Sequence, residues 1–289
     1  MHSFQQTTRQ LQRMYHRSHD ISDLWMDKLF PKERQGCINF GYCKGLCFPI
    51  TKEKRRRAAK QLYFLLFAQF PKKSRFVLEV GCGRGHGVYW LQQMRYEAYG
   101  IDILDEQIAL CRKSYPHYYP YFQKGRAETI PFRNACFDVV YSLEAAQHFS
   151  SFECFCQEAH RTLQERGTLL IATYAIKSQE AIAPLTYAIP TGIEGFHNAL
   201  VLADLISSLR KHHFYIPSSP KSLGHEIFPY YAAWHKQQLE GTSWNDLSDE
   251  RKKWGPYYTG SSEEMHPWQR VYEEGLLDYY LIRAEKQSQ

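Results

Sequence analysis

The sequence predicts an α/β fold in which a doubly wound, mostly parallel sheet carries helices on both faces. A short apolar run, residues 76–78, enters a glycine-rich stretch at 79–87, and a helical pattern follows at 88–94. The same order recurs in a strand pattern at 97–103 and a helical pattern at 105–114. Strands that alternate with helical segments are typical of βαβ units, whose strands lie parallel in one sheet.

Length and composition favour one domain with insertions. The 289 residues are enough to bury one sizeable core, and the hydrophobic share of 44% is ordinary for a globular protein. The net charge of +6 is modest, and the basic clusters at 52–57 and 251–253 are typical of solvated helix faces. The longest apolar run, 62–70, is too short to span a bilayer, and residues 1–20 hold no apolar signal segment. We therefore expect a cytoplasmic protein without a membrane span.

The cysteines do not predict a metal site. Cys37, Cys43 and Cys47, like Cys154 and Cys156, lack the spacing of zinc ribbons. We expect reduced thiols and no bound metal.

The glycine-rich stretch predicts a ligand site. Glycines at alternate positions from 81 to 87 permit positive φ and let a ligand approach the main chain. The helix at 88–94 would direct its N-terminus at that ligand, which is the geometry of a nucleotide or nucleoside site. The dinucleotide fingerprint Gly-x-Gly-x-x-Gly does not fit, because neither Gly81 nor Gly83 is followed by glycine at the sixth place.

Four elements in order resemble the class I S-adenosylmethionine (SAM) methyltransferases. Residues 79–85 match their motif I, Glu/Asp-x-Gly-x-Gly-x-Gly, and Asp102 ends the second strand with an acid placed for the ribose hydroxyls. Residues 127–132 look like the loop that contacts adenine, and 137–142 look like the fourth strand. The resemblance covers roughly half of the chain and implies SAM as the cofactor.

The resemblance also assigns the cofactor site. The homocysteine moiety falls to the glycine turn, the ribose to Asp102, and adenine to Ala127 and Glu128. The expected cofactor-binding residues are Glu79, Gly81, Cys82, Gly83, Gly85, Asp102, Ile103, Gln107, Ala127, Glu128 and Leu143.

The implied architecture is a Rossmann-like, seven-stranded doubly wound sheet whose last strand, predicted at 276–284, is antiparallel. An N-terminal helical lid segment would cover residues 1–70, and the methyltransferase domain 71–289. Acceptor-site caps are expected at about 178–199 and 225–269. The other predicted helices are 51–70, 152–163, 200–213 and 225–240, and the other predicted strands are 167–172 and 214–223, the last broken by Pro217 and Pro220.

A small acceptor is favoured by two further resemblances. Residues 38–42 are similar to an Asn-Phe-Gly-Tyr-Trp segment that closes over the cofactor in small-molecule methyltransferases, although Cys43 replaces its tryptophan. The Glu-x-x-x-His spacing of Glu144 and His148 is similar to enzymes of the sterol, tocopherol and sugar-acting type. The expected substrate-binding residues are Tyr15, Tyr42, Tyr187, Phe196, Tyr230, Tyr231 and Trp234.

Glu144 and His148 are the candidate catalytic residues, because they follow the fourth strand at the edge where ligands bind in open α/β sheets. If the chain is helical from Ala145, the two side chains share one helix face, and the carboxylate raises the pKa of the imidazole. His148 would then remove the acceptor's proton, unless proximity alone suffices.

The sequence thus predicts methyl transfer from SAM to O, N or C of a small organic acceptor that is apolar or aromatic. It contains neither Asn/Asp-Pro-Pro-Tyr after the fourth strand nor a Pro-Cys nucleophile, which disfavours nucleic-acid bases as acceptors. An RNA or protein methyltransferase and a catalytically inactive SAM-fold binding protein are the alternatives. A homodimer is compatible with the sequence.

Overall fold

The structure is a computed structural model that describes residues 39–45, 48–188, 200–239 and 266–287. Tyr15 and Phe196, two predicted acceptor contacts, lie outside this part of the chain. The described strands are β1 (Phe76–Val80), β2 (Glu97–Asp102), β3 (Phe122–Lys124), β4 (Phe137–Leu143), β5 (Leu163–Ile176), β6 (Phe214–Tyr215), β7 (Lys221–Ser222) and β8 (Leu277–Lys286).

These strands form one mixed sheet in the order β3-β2-β1-β4-β5-β8-β6, with β7 paired to β8. The first five strands are parallel, and β8 runs antiparallel to β5, as predicted for the last strand. The described sheet has eight strands where seven were expected. The predicted strand at 214–223 forms as two short strands, since Pro217 and Pro220 lie between them and supply no N–H to a ladder.

Helices cover both faces of the sheet. Those described are α1 (Lys52–Phe67), α2 (His86–Gln93), α3 (Asp105–Ser114), α4 (Phe152–Thr162), α5 (Ile182–Ala188), α6 (Leu202–Lys211), α7 (Gly224–Leu239) and α8 (Pro267–Glu273). Thr51 and Ser151 cap the N-termini of α1 and α4 by accepting main-chain N–H bonds from Lys54 and Cys154 at 3.2 and 3.1 Å. No helix in the described ranges is both long and apolar enough to cross a membrane.

The helix predictions agree with the structure to within a few residues, and α3 has the predicted bounds. The aromatic stretch at 116–121 forms a 3₁₀ turn before β3. Of the predicted cap at 225–269, the structure describes residues 225–239 and 266–269, and the second of these ranges holds the start of α8.

Helix α1 shares a hydrophobic core with the sheet, so this core includes residues from both sides of the domain boundary predicted at residue 70. Leu62, Leu66 and Phe67 of α1 are buried in one cluster with Val77 of β1 and Val139 of β4. A second cluster on the opposite face joins β1, β4 and β5 to α4 and α6. The lid boundary therefore stays a prediction, while α1 itself packs as part of the sheet domain.

The sheet's topology creates a crevice at one edge. Strand β1 lies between β2 and β4, and the chain proceeds outward in opposite directions from this pair. The carboxyl ends of these parallel strands, at Val80, Asp102 and Leu143, therefore meet at the same edge. Ligands bind at such a switch point in open α/β sheets.

Gly87 is required by packing beneath this edge. A Cβ added to Gly87 would clash with the Tyr141 hydroxyl and lie 2.5 Å from Glu79 Oε2 and 2.7 Å from Tyr63 Cε1. Replacing a helical glycine by alanine ordinarily stabilises a helix by about 0.5–1 kcal/mol. We expect Gly87→Ala instead to lower the free energy of unfolding by about 1–3 kcal/mol, the cost of overpacking, as measured by denaturant unfolding.

A double-mutant cycle tests this cause. Tyr141→Phe removes the nearest clashing atom, so it should recover part of the loss when combined with Gly87→Ala. A stabilising Gly87→Ala variant would show that the side chains around Gly87 reposition without cost.

Candidate functional site

The glycine turn after β1 is built as the sequence predicts. Gly81, Gly83 and Gly85 have φ values of +77°, +49° and +76°, a region that side-chain-bearing residues rarely adopt. At Gly81 packing adds a second reason, because an added Cβ would clash with the Cβ of Ala145 beyond β4. The turn is therefore pressed directly against the segment that holds the catalytic candidates.

Asp102 fixes the turn from the neighbouring strand. Its Oδ2 accepts the Gly83 N–H at 2.9 Å, and its Oδ1 accepts the Leu104 N–H at 3.0 Å. Burial raises the pKa of Asp102, and these main-chain bonds offset part of the rise. The Ile103 N–H also bonds this carboxylate, so main-chain donors use three of its roughly four acceptor positions. The geometry suits an acid that both orders the turn and accepts from a ligand's hydroxyl.

Glu79 lies beneath the turn as a buried acid. Its Oε2 accepts the Val88 N–H at 3.2 Å, at the start of α2. Burial raises its pKa to about 8, while the hydroxyls of Tyr141 and Tyr63 and the Val88 N–H lower it in part. Because Tyr63 belongs to α1, this carboxyl also joins α1 to the turn.

The remaining cofactor candidates divide into two groups. Ala127 and Leu143 are buried, and Gln107 is buried on α3, while Ile103 directly follows Asp102. Glu128, in contrast, is directed at the loop before α4. Its Oε1 accepts from the main chain and hydroxyl of Ser150 at 2.7 and 2.6 Å. Glu128 also forms an ion pair with Arg126 at 3.4 Å. Its contacts therefore stabilise the loop before α4.

Two thiols lie under the same turn. Cys111 on α3 donates to the Gly83 carbonyl at 3.0 Å, and its thiol faces that of buried Cys82, whose pKa is raised by this contact and by burial. The described residues form no disulfide, in agreement with the expected reduced thiols.

Glu144 joins three distant stretches of chain. Both of its carboxylate oxygens lie 3.1 Å from the Phe40 nitrogen, whose N–H they accept, and Oε1 also accepts the Tyr279 hydroxyl at 3.1 Å. Its φ of +51° is strained for a residue with a long side chain, and such strain is concentrated at functional sites. Burial raises the pKa of Glu144 to about 8, against the lowering effect of Phe40, Tyr279 and Arg55.

The predicted pairing of Glu144 with His148 is wrong. The positive φ at Glu144 prevents a helix from starting there, and only a short 3₁₀ turn, Ala146–His148, forms. The carboxyl faces Phe40 and Tyr279, while the His148 ring lies beside the Gln147 amide, 3.4 Å between nitrogens. Burial lowers the pKa of His148 to about 4, opposite to the expected rise. The imidazole is therefore neutral near pH 7 and a weak base.

The segment 39–45 docks on α1 and covers the edge. The Tyr42 N–H donates to the Ala58 carbonyl at 2.9 Å, and Asn39 Nδ2 donates to the Ala59 carbonyl at 3.1 Å. Arg55 donates to the Asn39 carbonyl. This docking supports the predicted lid, and Phe40 is the residue that it delivers to Glu144.

Phe40 lies within an aromatic cluster. Its ring packs against rings at centroid distances of 4.7 to 6.4 Å, mostly edge to face. Among the described residues these rings are Tyr174, Phe228, Tyr231, Trp268 and Tyr279. The cluster gives the edge beyond Glu144 an apolar wall.

The predicted acceptor contacts separate in space. Tyr231 belongs to the aromatic cluster, whereas Tyr230 and Trp234 pack on Ile50 and Ala58, between α7 and α1. Tyr42 is buried, and its hydroxyl donates to Glu226 at 3.4 Å. Tyr187 lies on α5, and its side chain is outside the described part. Among the predicted contacts whose side chains are described, Tyr231 is the one that shares the cluster with Phe40.

Sequence reasoning missed Tyr279, Tyr174 and Trp268. Tyr174 and Tyr279 are register partners across β5 and β8, so both side chains share one face of the sheet. The alternation of apolar and polar residues along each strand predicts which face of the sheet each tyrosine occupies. It does not predict the register that makes the two tyrosines neighbours.

The raised pKa of Glu144 predicts a pH-dependent stability. Between about pH 7 and 8 the folded protein keeps protons on Glu144 and Glu79. The unfolded chain, in which both carboxyls have their ordinary pKa of 4.5, has lost these protons. The free energy of unfolding should therefore fall as pH rises, by up to about 1.4 kcal/mol per pH unit for each carboxyl. His148 does not contribute there, because its ordinary value of 6.5 and its lowered pKa both lie below this window.

Glu144→Gln should reduce this slope by about half, measured by denaturant unfolding at several pH values. The exposed Glu106→Gln on α3 is the matched control and should keep the full slope. Equal slopes in wild type and Glu144→Gln would mean that Glu144 is ionised in the folded protein at neutral pH.

Comparison with known proteins supports the predicted class. Residues 78–171 match the family described as "Methyltransferase domain". A phthiotriol/phenolphthiotriol dimycocerosates methyltransferase of Mycobacterium leprae is 34% identical over 140 residues, 47% of this chain and 52% of that protein. A fatty-acid O-methyltransferase of Mycolicibacterium smegmatis is 31% identical over 138 residues, 46% of this chain and 50% of that protein. The chain thus spans about half the length of the curated relatives it matches.

Solved structures share the fold at low identity. A putative sarcosine dimethylglycine methyltransferase from Galdieria sulphuraria superposes with a TM-score of 0.72 at 16% identity, covering 92% of this chain and 98% of that one. Geranyl diphosphate C-methyltransferase from Streptomyces coelicolor A3(2) gives a TM-score of 0.62 at 13% identity, covering 91% of each chain. Residues 78–171, which hold the glycine turn, Asp102 and Glu144, therefore match a methyltransferase family by sequence, and the chain shares its fold with solved methyltransferases.

Proposed function

We propose that the protein is a SAM-dependent methyltransferase that methylates an oxygen of an apolar, lipid-like small molecule. The observation that carries this proposal is the contact made by Glu144. It joins the edge where the glycine turn and Asp102 lie to the aromatic cluster around Phe40. Cofactor and acceptor sites are thereby adjacent, as a direct transfer between two bound molecules requires.

The residues around the turn fit SAM. Gly81, Gly83 and Gly85 permit main-chain approach, and Asp102 retains acceptor capacity for a ribose hydroxyl. Ala127 and Gln107 are buried, and we assign them to the adenine side of the cofactor. When bound, SAM supplies an electrophilic methyl group on a sulfonium. Among the structural neighbours, the geranyl diphosphate C-methyltransferase is a complex with S-adenosyl-L-homocysteine.

The acceptor side supports an apolar compound. The cluster around Phe40 presents aromatic edges and faces, which bind apolar groups through buried area and ring contacts. The relatives are named for phthiotriol dimycocerosates and fatty acids, which favours lipid-like acceptors over sterol, tocopherol or sugar ones. Among the predicted contacts, Tyr231 is the one that we retain for the acceptor.

Glu144 is proposed as a positioning residue. Its carboxyl accepts from Phe40 and Tyr279 and so holds the 39–45 segment against β8. Closure of this segment would exclude water and keep the acceptor close to the cofactor edge. Because it hydrogen-bonds the lid and not His148, a direct part in proton transfer is not assigned to it.

The role of His148 depends on the acceptor. Its neutral imidazole accepts a proton, but a pKa of about 4 makes it a weak base. A hydroxyl acceptor must lose a proton during methylation, whereas a carboxylate acceptor carries none at neutral pH. His148 should therefore matter for alcohols and not for fatty acids.

The cofactor assignment is tested with S-adenosylhomocysteine. Asp102→Ala removes the charge-assisted bond to the ribose and the support of the turn, so binding should weaken by about 1.5–3 kcal/mol in calorimetry. Asp105→Ala, which removes an exposed partner of Lys124, is the control and should bind normally. A folded wild-type protein that binds no S-adenosylhomocysteine would overturn the cofactor proposal.

The acceptor proposal is tested with paired long-chain alcohols and carboxylic acids of equal length. His148→Ala should lower kcat for the alcohol by about 10²-fold, the low end of general-base help because the imidazole is a weak base, and change kcat for the acid little. Affinity for S-adenosylhomocysteine should stay constant.

His117→Ala, in the exposed turn after α3, serves as the control and should turn over both acceptors normally. If His148→Ala keeps full turnover with both acceptors, proximity carries the transfer and His148 is structural. Failure of the wild type to methylate either acceptor would reject the lipid-like class.

A further inference from the structure

The Gln147 side chain lies between the sheet and the His148 ring. Gln147 and His148 belong to the short 3₁₀ turn after β4, and Gln147 is buried. Thr173, which is buried in β5, donates its hydroxyl to Gln147 Oε1 at 2.9 Å. The amide nitrogen of Gln147 donates to the Glu144 carbonyl at 2.8 Å and lies 3.4 Å from His148 Nε2. One amide group therefore connects the sheet, Glu144 and the His148 ring.

The contacts of Gln147 fix the orientation of its amide. A carbonyl oxygen only accepts hydrogen bonds, so the atom that faces the Glu144 carbonyl must be the amide nitrogen. The other end, Oε1, then accepts from Thr173, whose hydroxyl shares its proton with the Tyr174 carbonyl at 3.1 Å. The two ends of an amide are distinguished by their hydrogen-bond partners, and here both partners agree. The NH₂ group of Gln147 is therefore the group that faces the His148 ring.

This orientation determines the tautomer of His148. A neutral imidazole has one protonated nitrogen, which donates, and one unprotonated nitrogen, which accepts. An amide NH₂ group only donates, so the ring nitrogen beside it, Nε2, is the unprotonated one and the ring proton lies on Nδ1. The opposite tautomer would direct two N–H groups at each other, which costs the energy of unpaired buried donors. Burial lowers the pKa of His148 to about 4, so the ring is neutral near pH 7 and a single tautomer describes it.

We propose that Gln147 is a positioning residue that keeps the Nε2 lone pair of His148 available for the acceptor's proton, and that Thr173 holds the Gln147 amide in place. This is the tautomer that general-base help at Nε2 requires. The separation of 3.4 Å is long for a hydrogen bond, so an acceptor hydroxyl can replace the amide without the loss of a strong contact. The acceptor's oxygen forms a bond to the methyl carbon as the carbon–sulfur bond breaks towards sulfur, and Nε2 takes the hydroxyl proton. This catalytic part rests on the proposed function, whereas the assignment of the tautomer does not.

Nitrogen-15 NMR of the histidine rings tests the tautomer without any acceptor. The chain has 13 histidines, so the His148 signals are identified by their loss in His148→Ala. In the wild type near pH 7, the Nδ1–H tautomer should exceed the Nε2–H tautomer by about tenfold, because the second one leaves buried donors unpaired. Gln147→Leu should lower this ratio by about fivefold or more. Gln157→Leu, which changes an exposed glutamine of α4, is the matched control and should keep the wild-type ratio.

Variants of Thr173 test whether the amide must be held. Thr173→Val removes the hydroxyl and leaves the Glu144 contact of Gln147 in place, so the tautomer ratio should fall in the same direction as in Gln147→Leu. Thr173→Ser keeps the hydroxyl and should keep the ratio. Thr162→Val removes another buried hydroxyl, which bonds the Glu158 carbonyl in α4, and should also leave the ratio unchanged. If Gln147→Leu does not fold, Thr173→Val carries the comparison.

Turnover separates positioning from a purely structural role. With a long-chain alcohol, Gln147→Leu should lower kcat by about three- to tenfold, the effect of one hydrogen bond, and leave KM near the wild-type value. With the carboxylic acid of equal length, kcat should change by less than about twofold, because this acceptor has no proton to lose. In the His148→Ala background, Gln147→Leu should not lower kcat further, because Gln147 acts through the His148 ring.

Two results would overturn the proposal. One is a wild-type His148 ring that carries its proton on Nε2, since the Gln147 amide would then not select the tautomer. The other is an equal loss of kcat from Gln147→Leu with and without His148, which would assign Gln147 to the fold of the turn. A wild type that has the Nδ1–H tautomer but methylates no alcohol would support the positioning by Gln147 and reject the proposed acceptor class, so the two failures are distinguishable.

Discussion

The arrangement of the site depends on one partly buried carboxyl, that of Glu144. Its partners, Phe40 and Tyr279, lie 104 and 135 residues away in sequence, so a single side chain links the lid, the end of β4 and the antiparallel strand β8. A hydrogen bond to a buried charged or polar group is costly to leave unmade, which makes this junction specific. The aromatic cluster takes its position from the same contact, because Phe40 is both the donor to Glu144 and the centre of the cluster.

Helix α1 connects this junction to the cofactor edge. Arg55 contacts the lid near its first turn, and Tyr63, eight residues later, acts on the Glu79 carboxyl under the glycine turn. Eight residues of α-helix span about 12 Å, so one rigid element reaches both halves of the site. Helix α1 thereby links the lid to the glycine turn through packing.

The sequence predicts the local chemistry of the site and misses its long-range assembly. The glycine turn and Asp102 were predictable, because both patterns are local. Closely spaced glycines indicate positive φ, and Asp102 directly ends an apolar strand pattern. The Glu144–His148 pair was not, because glutamate gives no sign that it will adopt a φ of +51°. Tyr279 was out of reach for another reason: its place is set by the register of β8 on β5, which depends on the whole sheet.

At Glu144 the energetic cost of a strained backbone accompanies the contact that its side chain makes with the lid. A left-handed φ costs a non-glycine residue about 1–3 kcal/mol, and burial of its carboxyl adds to that cost. Glycine at this position would relieve the backbone strain, but it would leave the Phe40 N–H and the Tyr279 hydroxyl without their acceptor. The strained backbone is therefore tied to the contact that the side chain makes with the lid and β8.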